Sequence, residues 1–160
     1  MNMKVLKKYK KDILAIFIAV ILYIIISNAR GVSQNPFDNE ITLEITATIP
    51  ILAGLLISKR AGFSAGFIAP MVSFLLTNEL FQATMAVPYA ILGYIAGEFS
   101  NKIPSPIIAL LILPANMLAY LFIGKADAWA AFLYESFIGF IAIIVITNIY
   151  RISFQDVDKY

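Results

Sequence analysis

The sequence predicts an all-α membrane protein, a compact bundle of six transmembrane helices with both termini cytoplasmic. Three observations lead there. Apolar residues make up 61% of the 160 residues and charged residues only 14%, and the mean hydropathy is +0.85, outside the range of an ordinary soluble domain. The apolar residues gather into runs separated by short polar stretches. Ten of the twelve Lys and Arg residues then fall on one side of the path those runs define. Lys4, Lys7, Lys8, Lys10 and Lys11 precede the first run, Lys59 and Arg60 separate the second from the third, Lys102 separates the fourth from the fifth, and Arg151 and Lys159 follow the last. Only Arg30 and Lys125 fall on the other side. A bias of this kind marks the cytoplasmic face of a multi-pass protein.

A helix crosses the hydrocarbon core with about 20 apolar residues. The first span is expected at 13–29, behind the basic segment. Its layout resembles a secretory signal, with small residues at Ser27 and Ala29. The length of the run and Arg30 directly beyond it favour an uncleaved span. A polar loop, 30–40, contains Gly31, Asn35 and Pro36. The second span, 41–58, carries Glu44 near its outer end and Pro50 in its middle. Lys59 and Arg60 make a tight inner turn into the third, 61–77, with Gly62, Gly66 and Pro70. Asn78 and Glu79 close it outside. The fourth, 84–97, is the shortest, and the charge bias supports keeping it. The fifth, 106–123, is interrupted at Pro114-Ala115-Asn116, and the sixth, 129–150, carries Glu135 about two turns from its outer end. The whole chain is one integral-membrane domain, 1–160.

Composition excludes several functions. There is no Cys and no His, which removes disulfides, thiolate chemistry, the commonest metal ligand and the commonest general base. No cofactor is implied. The net charge of +2 follows from topology, and the basic amino-terminal run suits an anionic lipid surface rather than nucleic acid.

Ionisable groups inside a bilayer are costly and usually functional. Glu44 and Glu135 qualify, either as ligand-binding groups or as hydrated acids at interface depth. Asp38, Glu40, Glu79 and Asp127 add negative charge on the same side. Such a mouth suits a substrate with a positive charge or several N–H donors. Asn116, beside Pro114, either bonds a ligand or caps the broken backbone. Tyr89, Tyr120, Trp129 and Tyr134, with Phe81 and Gln82, gather near the outer ends. They form an interfacial belt, or, for Trp129 and Tyr134, stack on a planar ligand near Glu135. Pro50, Pro88 and Pro114 either let helices bend and pack or open backbone toward a cavity.

Small residues recur at helical spacing. Ala15 and Ala19 lie four apart on the first span, Gly62 and Gly66 with Ala61 and Ala65 on the third, and Gly139 with Ala131 and Ala142 on the sixth. Such faces let helices approach closely in lipid.

In three features the chain resembles the substrate-binding S components of energy-coupling factor (ECF) transporters: the six-span layout, Ala15-x-x-x-Ala19, and the stretch 49–66 that turns from an apolar helix into a Gly-rich one. The resemblance implies a subunit that takes up a vitamin or similar micronutrient in the cell membrane, is not an enzyme, and topples to release its cargo. It implies a transmembrane coupling subunit and two ATPase subunits as partners, with Ala15 and Ala19 as the docking face and 30–40 as a lid. Glu44, Asn116, Trp129, Tyr134 and Glu135 are then the pocket candidates for a small-molecule substrate. The absence of His argues against the nickel and cobalt members. An alternative is a small multi-pass scaffold of the rod-shape-determining kind, with no ligand. A membrane-embedded enzyme is disfavoured, because no Ser-His, Cys-His or metal-ligand set exists.

Overall fold

The computed structural model describes residues 3–28, 45–123 and 128–155, with side chains at 9–27, 46–118 and 132–153. Every regular element among them is helical. In chain order they are α1 (Met3–Asn28), a single 3-10 turn (Ile45–Ala47), α2 (Thr48–Leu56), α3 (Lys59–Thr77), α4 (Leu80–Phe99), α5 (Ser105–Ala109), α6 (Ile112–Ile123) and α7 (Ala128–Gln155).

Three of these helices are long and apolar enough to cross a membrane: Lys59–Thr77, Leu80–Phe99 and the Phe132–Ser153 part of α7. The distribution of side chains agrees with a lipid surrounding. Large apolar residues point outward on α1 (Phe17, Ile21, Ile25), α3 (Phe67, Leu75) and α7 (Phe137, Ile141, Ile149), while Gln82, Asn116, Glu135 and Ser136 are buried. Water would favour the reverse arrangement.

Three expected spans differ in detail. The fourth, expected as the shortest, is a full helix of 20 residues. The second is not one helix over 41–58: residues 41–44 lie outside the described set, and the 3-10 turn leads into a helix of 9 residues. Pro50 therefore sits in the first turn of α2, where a missing N–H costs nothing, rather than in the middle of a span. The fifth breaks earlier than the expected Pro114. The Pro114 ring excludes an N–H bond to the carbonyl of Leu110, and the chain tightens there instead. Leu110 N donates to Ile107 O at 3.2 Å, Leu111 N to Ile108 O at 3.0 Å and Leu113 N to Leu110 O at 3.0 Å. The result is α5, a joint at Leu110 and Leu111, and α6.

Helices α2, α3 and α4 are held together through glycine. A methyl group built on Gly62 would lie 2.3 Å from the Gly93 carbonyl oxygen, and one on Gly93 would lie 2.3 Å from that of Gly62. Gly66 faces the backbone of Tyr89 and Ala90, and Gly97 that of Lys59, at 2.4 Å in each case. The backbones meet with no room for a Cβ, which maximises van der Waals contact where lipid leaves no hydrophobic gain between helices. Ala61, Ala65, Ala69 and Pro70 complete the buried face of α3.

Turns close this unit. Ser58 is extended (φ −170°), and its hydroxyl accepts from Ala61 N at 3.1 Å, capping α3. At the far end Asn78 adopts the left-handed conformation (φ 58°), and its N–H bonds Phe74 O at 2.7 Å. The α3–α4 hairpin thus returns Glu98 to Lys59.

Helix α1 packs chiefly on α3. Its inward stripe is Asp12, Ala19, Tyr23 and Ser27. Ser58 Oγ donates to Asp12 Oδ1 at 2.9 Å, Tyr23 OH donates to Gln82 Oε1 at 2.6 Å, and the Ser27 and Ser73 hydroxyls lie 3.3 Å apart. At the Ser58 end the charges gather. Lys59 and Lys102 both bond Glu98, at 2.6 and 2.9 Å, and Arg60 donates to Tyr9 OH at 3.1 Å. We term this end the basic rim.

Candidate functional site

On α7 the buried residues Glu135, Gly139, Ile143 and Thr147 form one stripe at a spacing of four, with Ser136 beside Glu135 and three residues from Gly139, so a single helix face turns inward. Helix α6 lies antiparallel against its upper part. Asn116 Nδ2 donates to Ser136 Oγ at 3.2 Å, and one turn along Gly139 faces Ile112, whose Cγ1 lies 2.8 Å from where a methyl would stand. The same methyl position is 3.1 Å from Thr48 Oγ1. Thr48 thus abuts α7 one turn below the Asn116–Ser136 bond. The 3-10 turn is touched by α1, α2, α6 and α7 and brings in Thr46.

The neighbouring wall is aromatic. Tyr23 of α1 and Tyr89 of α4 meet edge to face, with ring centroids 6.5 Å apart, and both are buried. Gln82, already bonded to Tyr23, is buried above them. Tyr89 lies ten residues before Phe99 and Thr48 ten before Ser58, so each stands about 15 Å above the basic rim.

These buried polar groups are of two kinds. Tyr23, Gln82 and Ser136 have described partners, and Glu135 and Tyr89 are also engaged within the chain. Thr46 Oγ1, Thr48 Oγ1, Asn116 Oδ1 and Thr147 Oγ1 are buried with no hydrogen-bond partner. An unsatisfied buried polar atom costs about 1–3 kcal/mol, so three of them around one junction are a feature to explain. Thr147 stands apart, twelve residues from Glu135 along α7, about 18 Å. Among the described residues no group of three or more acidic side chains is placed to hold a metal ion.

Of the residues expected in the pocket, Glu135 and Asn116 come together: both are buried, and Asn116 bonds the residue next to Glu135. Tyr134 does not join them. It is 55% exposed, because it lies about 100° from Glu135 on the side away from Ser136 and the stripe through Gly139. Glu44 and the lid at 30–40 lie outside the described residues, as does the side chain of Trp129. Ala19 is 5% exposed on the inward stripe of α1, with Ala15 half-buried at its flank, so the pair is no open docking stripe. The chain's own core covers the close-packing surface that two alanines create.

Thr46, Thr48, Tyr23 and Ser136 were not picked out from the sequence, and Gln82 and Tyr89 were assigned to the interface. Their signal is periodic: Tyr23–Ser27 on α1 and Gln82–Tyr89–Gly93 on α4 mark inward stripes on otherwise apolar helices. Comparison with protein-family models, with curated proteins and with solved structures found no match.

Proposed function

We propose that the chain is the membrane-embedded substrate-binding subunit of an ECF-type uptake transporter. It takes a vitamin or similar micronutrient from the outer side into the junction of the 3-10 turn, α4, α6 and α7. A transmembrane coupling subunit and two ATPases supply the energy. The chain spans the cell membrane six times with both termini cytoplasmic, and it catalyses no reaction.

One observation carries the reading: three buried oxygens without hydrogen-bond partners, on Thr46, Thr48 and Asn116, lie on elements that meet at one junction, beside a buried carboxyl group. Two further features agree with it. The basic rim, with Lys59, Arg60 and Lys102, lies at the opposite end from the Asn78–Glu79 turn, as a cytoplasmic placement of that rim requires. Three helices, α3, α4 and the Phe132–Ser153 part of α7, are long and apolar enough to cross a membrane.

The coupling subunit docks elsewhere than on Ala19, since reaching it would need α1 to part from α3. The test is purification of the tagged protein from its native membranes in mild detergent, with identification of its companions. Recovery of a membrane coupling subunit together with two ATPases supports the proposal. Recovery of cell-envelope or cytoskeletal proteins without any ATPase refutes it in favour of a scaffold.

A further inference from the structure

The basic rim holds more positive charge than the described residues neutralise. Lys59 is the first residue of α3 and Glu98 the last but one of α4, and both helices are long and apolar enough to cross a membrane. The rim thus stands where a span leaves lipid tails for headgroups. Two described acids lie there. Glu98 takes both Lys59 and Lys102. Asp12 is buried and accepts the Ser58 hydroxyl at 2.9 Å. Lys10, Lys11 and Arg60 are exposed and have no acidic partner among the described residues.

The rim cations are also seated on rings. Lys59 Nζ lies 5.4 Å from the centre of the Tyr94 ring, Lys102 Nζ 5.5 Å from that of Phe99, and the Arg60 guanidinium carbon 5.9 Å from that of Tyr9. All three rings are exposed. Exposed cation–aromatic pairs where spans end match the interfacial belt of a membrane protein.

Tyr9 and Arg60 are the part of this rim built to receive a ligand. Arg60 Nη1 donates to Tyr9 OH at 3.1 Å, and the guanidinium has further N–H donors beside the one used here. The tyrosine oxygen accepts that bond and keeps its own O–H hydrogen to donate, with no acceptor among the described residues. The pair therefore offers N–H and O–H donors side by side on an exposed, positively charged surface. A phosphate oxygen satisfies both, and the planar guanidinium can grip two oxygens of one phosphate.

We propose that Tyr9 and Arg60 bind the phosphate of an anionic phospholipid at this face of the membrane, with Lys10 and Lys11 adding to the attraction. Glu98 holds Lys59 and Lys102 back from the same lipid. A zwitterionic headgroup brings the same phosphate with an ammonium of its own, which the excess positive charge opposes. The site rests on α3 and α4 crossing the membrane and is separate from the junction of α6 and α7.

The full-length protein in detergent is melted with dioctanoyl phosphatidylglycerol, with dioctanoyl phosphatidylcholine and with glycerol phosphate. Phosphatidylglycerol is expected to raise the melting midpoint at lower concentration than phosphatidylcholine. Glycerol phosphate, which has no acyl chains to hold it at the rim, is expected to leave it unchanged. Arg60→Gln is expected to weaken the phosphatidylglycerol effect about fivefold, the share of one basic group at an anionic surface. Tyr9→Phe keeps the ring and is expected to weaken it about threefold, the share of one exposed hydrogen bond. Glu98→Gln releases two lysines and is expected to strengthen it, a gain that a merely structural role would not give. Lipid-free midpoints at the wild-type value show that these variants fold. Equal response to the two lipids, or a preference that Arg60→Gln leaves intact, overturns the proposal. Stabilisation by glycerol phosphate as strong as by the lipid assigns the pair to a soluble phosphate and overturns the lipid role. If phosphatidylglycerol has no effect and Arg60→Gln removes a companion from the purified complex, the rim is a protein-docking surface and the proposal fails. The transport reading is decided separately, by the identity of the companions.

Discussion

The α2–α3–α4 unit and the junction with α6 and α7 solve the same problem in opposite ways. Both must hold helices together in a bilayer, where apolar contact between helices gains little over contact with lipid. The first does so by removing side chains. Gly54, Gly62, Gly66, Gly93 and Gly97 let backbone meet backbone, and nothing in that interface can be repositioned without moving a helix. The second keeps its side chains and fills the gap with hydroxyls, an amide and a carboxyl, the Asn116–Ser136 bond among their contacts. A tight unit supports a site, and a polar, incompletely bonded one can accept something. The difference teaches where to look for function in a helical membrane protein: at the interface that is less well satisfied.

The contrast breaks most readily at Gly93. A methyl there would stand 2.3 Å from the Gly62 carbonyl oxygen and 2.9 Å from that of Pro50, and backbone atoms of two helices cannot both retreat. Alanine normally gains up to about 1 kcal/mol over glycine within a helix. Overpacking costs about 1–3 kcal/mol or more, and here it wins. Gly93→Ala is expected to lower stability by about 3 kcal/mol or to abolish folded protein, read by thermal melting in detergent. A melting point at or above wild type would show that the glycine contact is not tight. Next in size is Tyr23→Phe. It leaves the buried Gln82 Oε1 without its 2.6 Å donor, a loss of about 1–2 kcal/mol on the same measurement.

Much of the glycine unit was legible in the sequence, and little of the junction was. Ala61, Gly62, Ala65 and Gly66 announce a close-packing face by spacing alone. Their partners Gly93 and Gly97 are just as small, but nothing in the chain says which two faces meet, because that is settled by the Asn78–Glu79 turn folding α4 back onto α3. Glu135 and Asn116 stood out because charge and amide are rare at membrane depth. Thr46 and Thr48 did not, since threonine in an apolar helix commonly bonds its own backbone. Ala15 and Ala19 show the limit of a spacing argument: it identifies a surface for close packing and leaves open whether the partner is another protein or the next helix of the same chain. Tyr134 and Glu135 show another. Ser136, about 100° to one side of Glu135, falls on the stripe through Gly139 and is buried, while Tyr134, about 100° to the other side, falls outside it.

Gly139→Ala separates the two regions within one type of substitution. The added methyl would meet Ile112 Cγ1 at 2.8 Å and Thr48 Oγ1 at 3.1 Å, both of them side-chain atoms that can rotate. The expected loss of stability is below about 1 kcal/mol, because helix propensity offsets part of the crowding. Rotation of the Ile112 and Thr48 side chains absorbs the added methyl, which the Gly93 backbone contacts cannot do. Destabilisation as large as that of Gly93→Ala would mean that α7 is fused to the bundle as tightly as α3 is to α4, and the distinction between the regions would collapse.

The smallest effect is expected at the basic rim. Glu98 receives both Lys59 and Lys102, and it looks like a fastening between α3 and the α4–α5 turn. The three side chains are 32%, 46% and 61% exposed, however, and exposed ion pairs are screened by salt and weakened by the entropy of ordering long side chains. The glycine contact of Gly97 with Lys59 backbone already fixes the same two elements. Glu98→Gln should therefore leave the melting point within experimental scatter at physiological salt, and raising the salt should shift wild type and variant alike. A drop matching that of Tyr23→Phe, vanishing as salt rises, would show instead that the rim clamps the hairpin and that backbone contact alone does not hold the tight unit together.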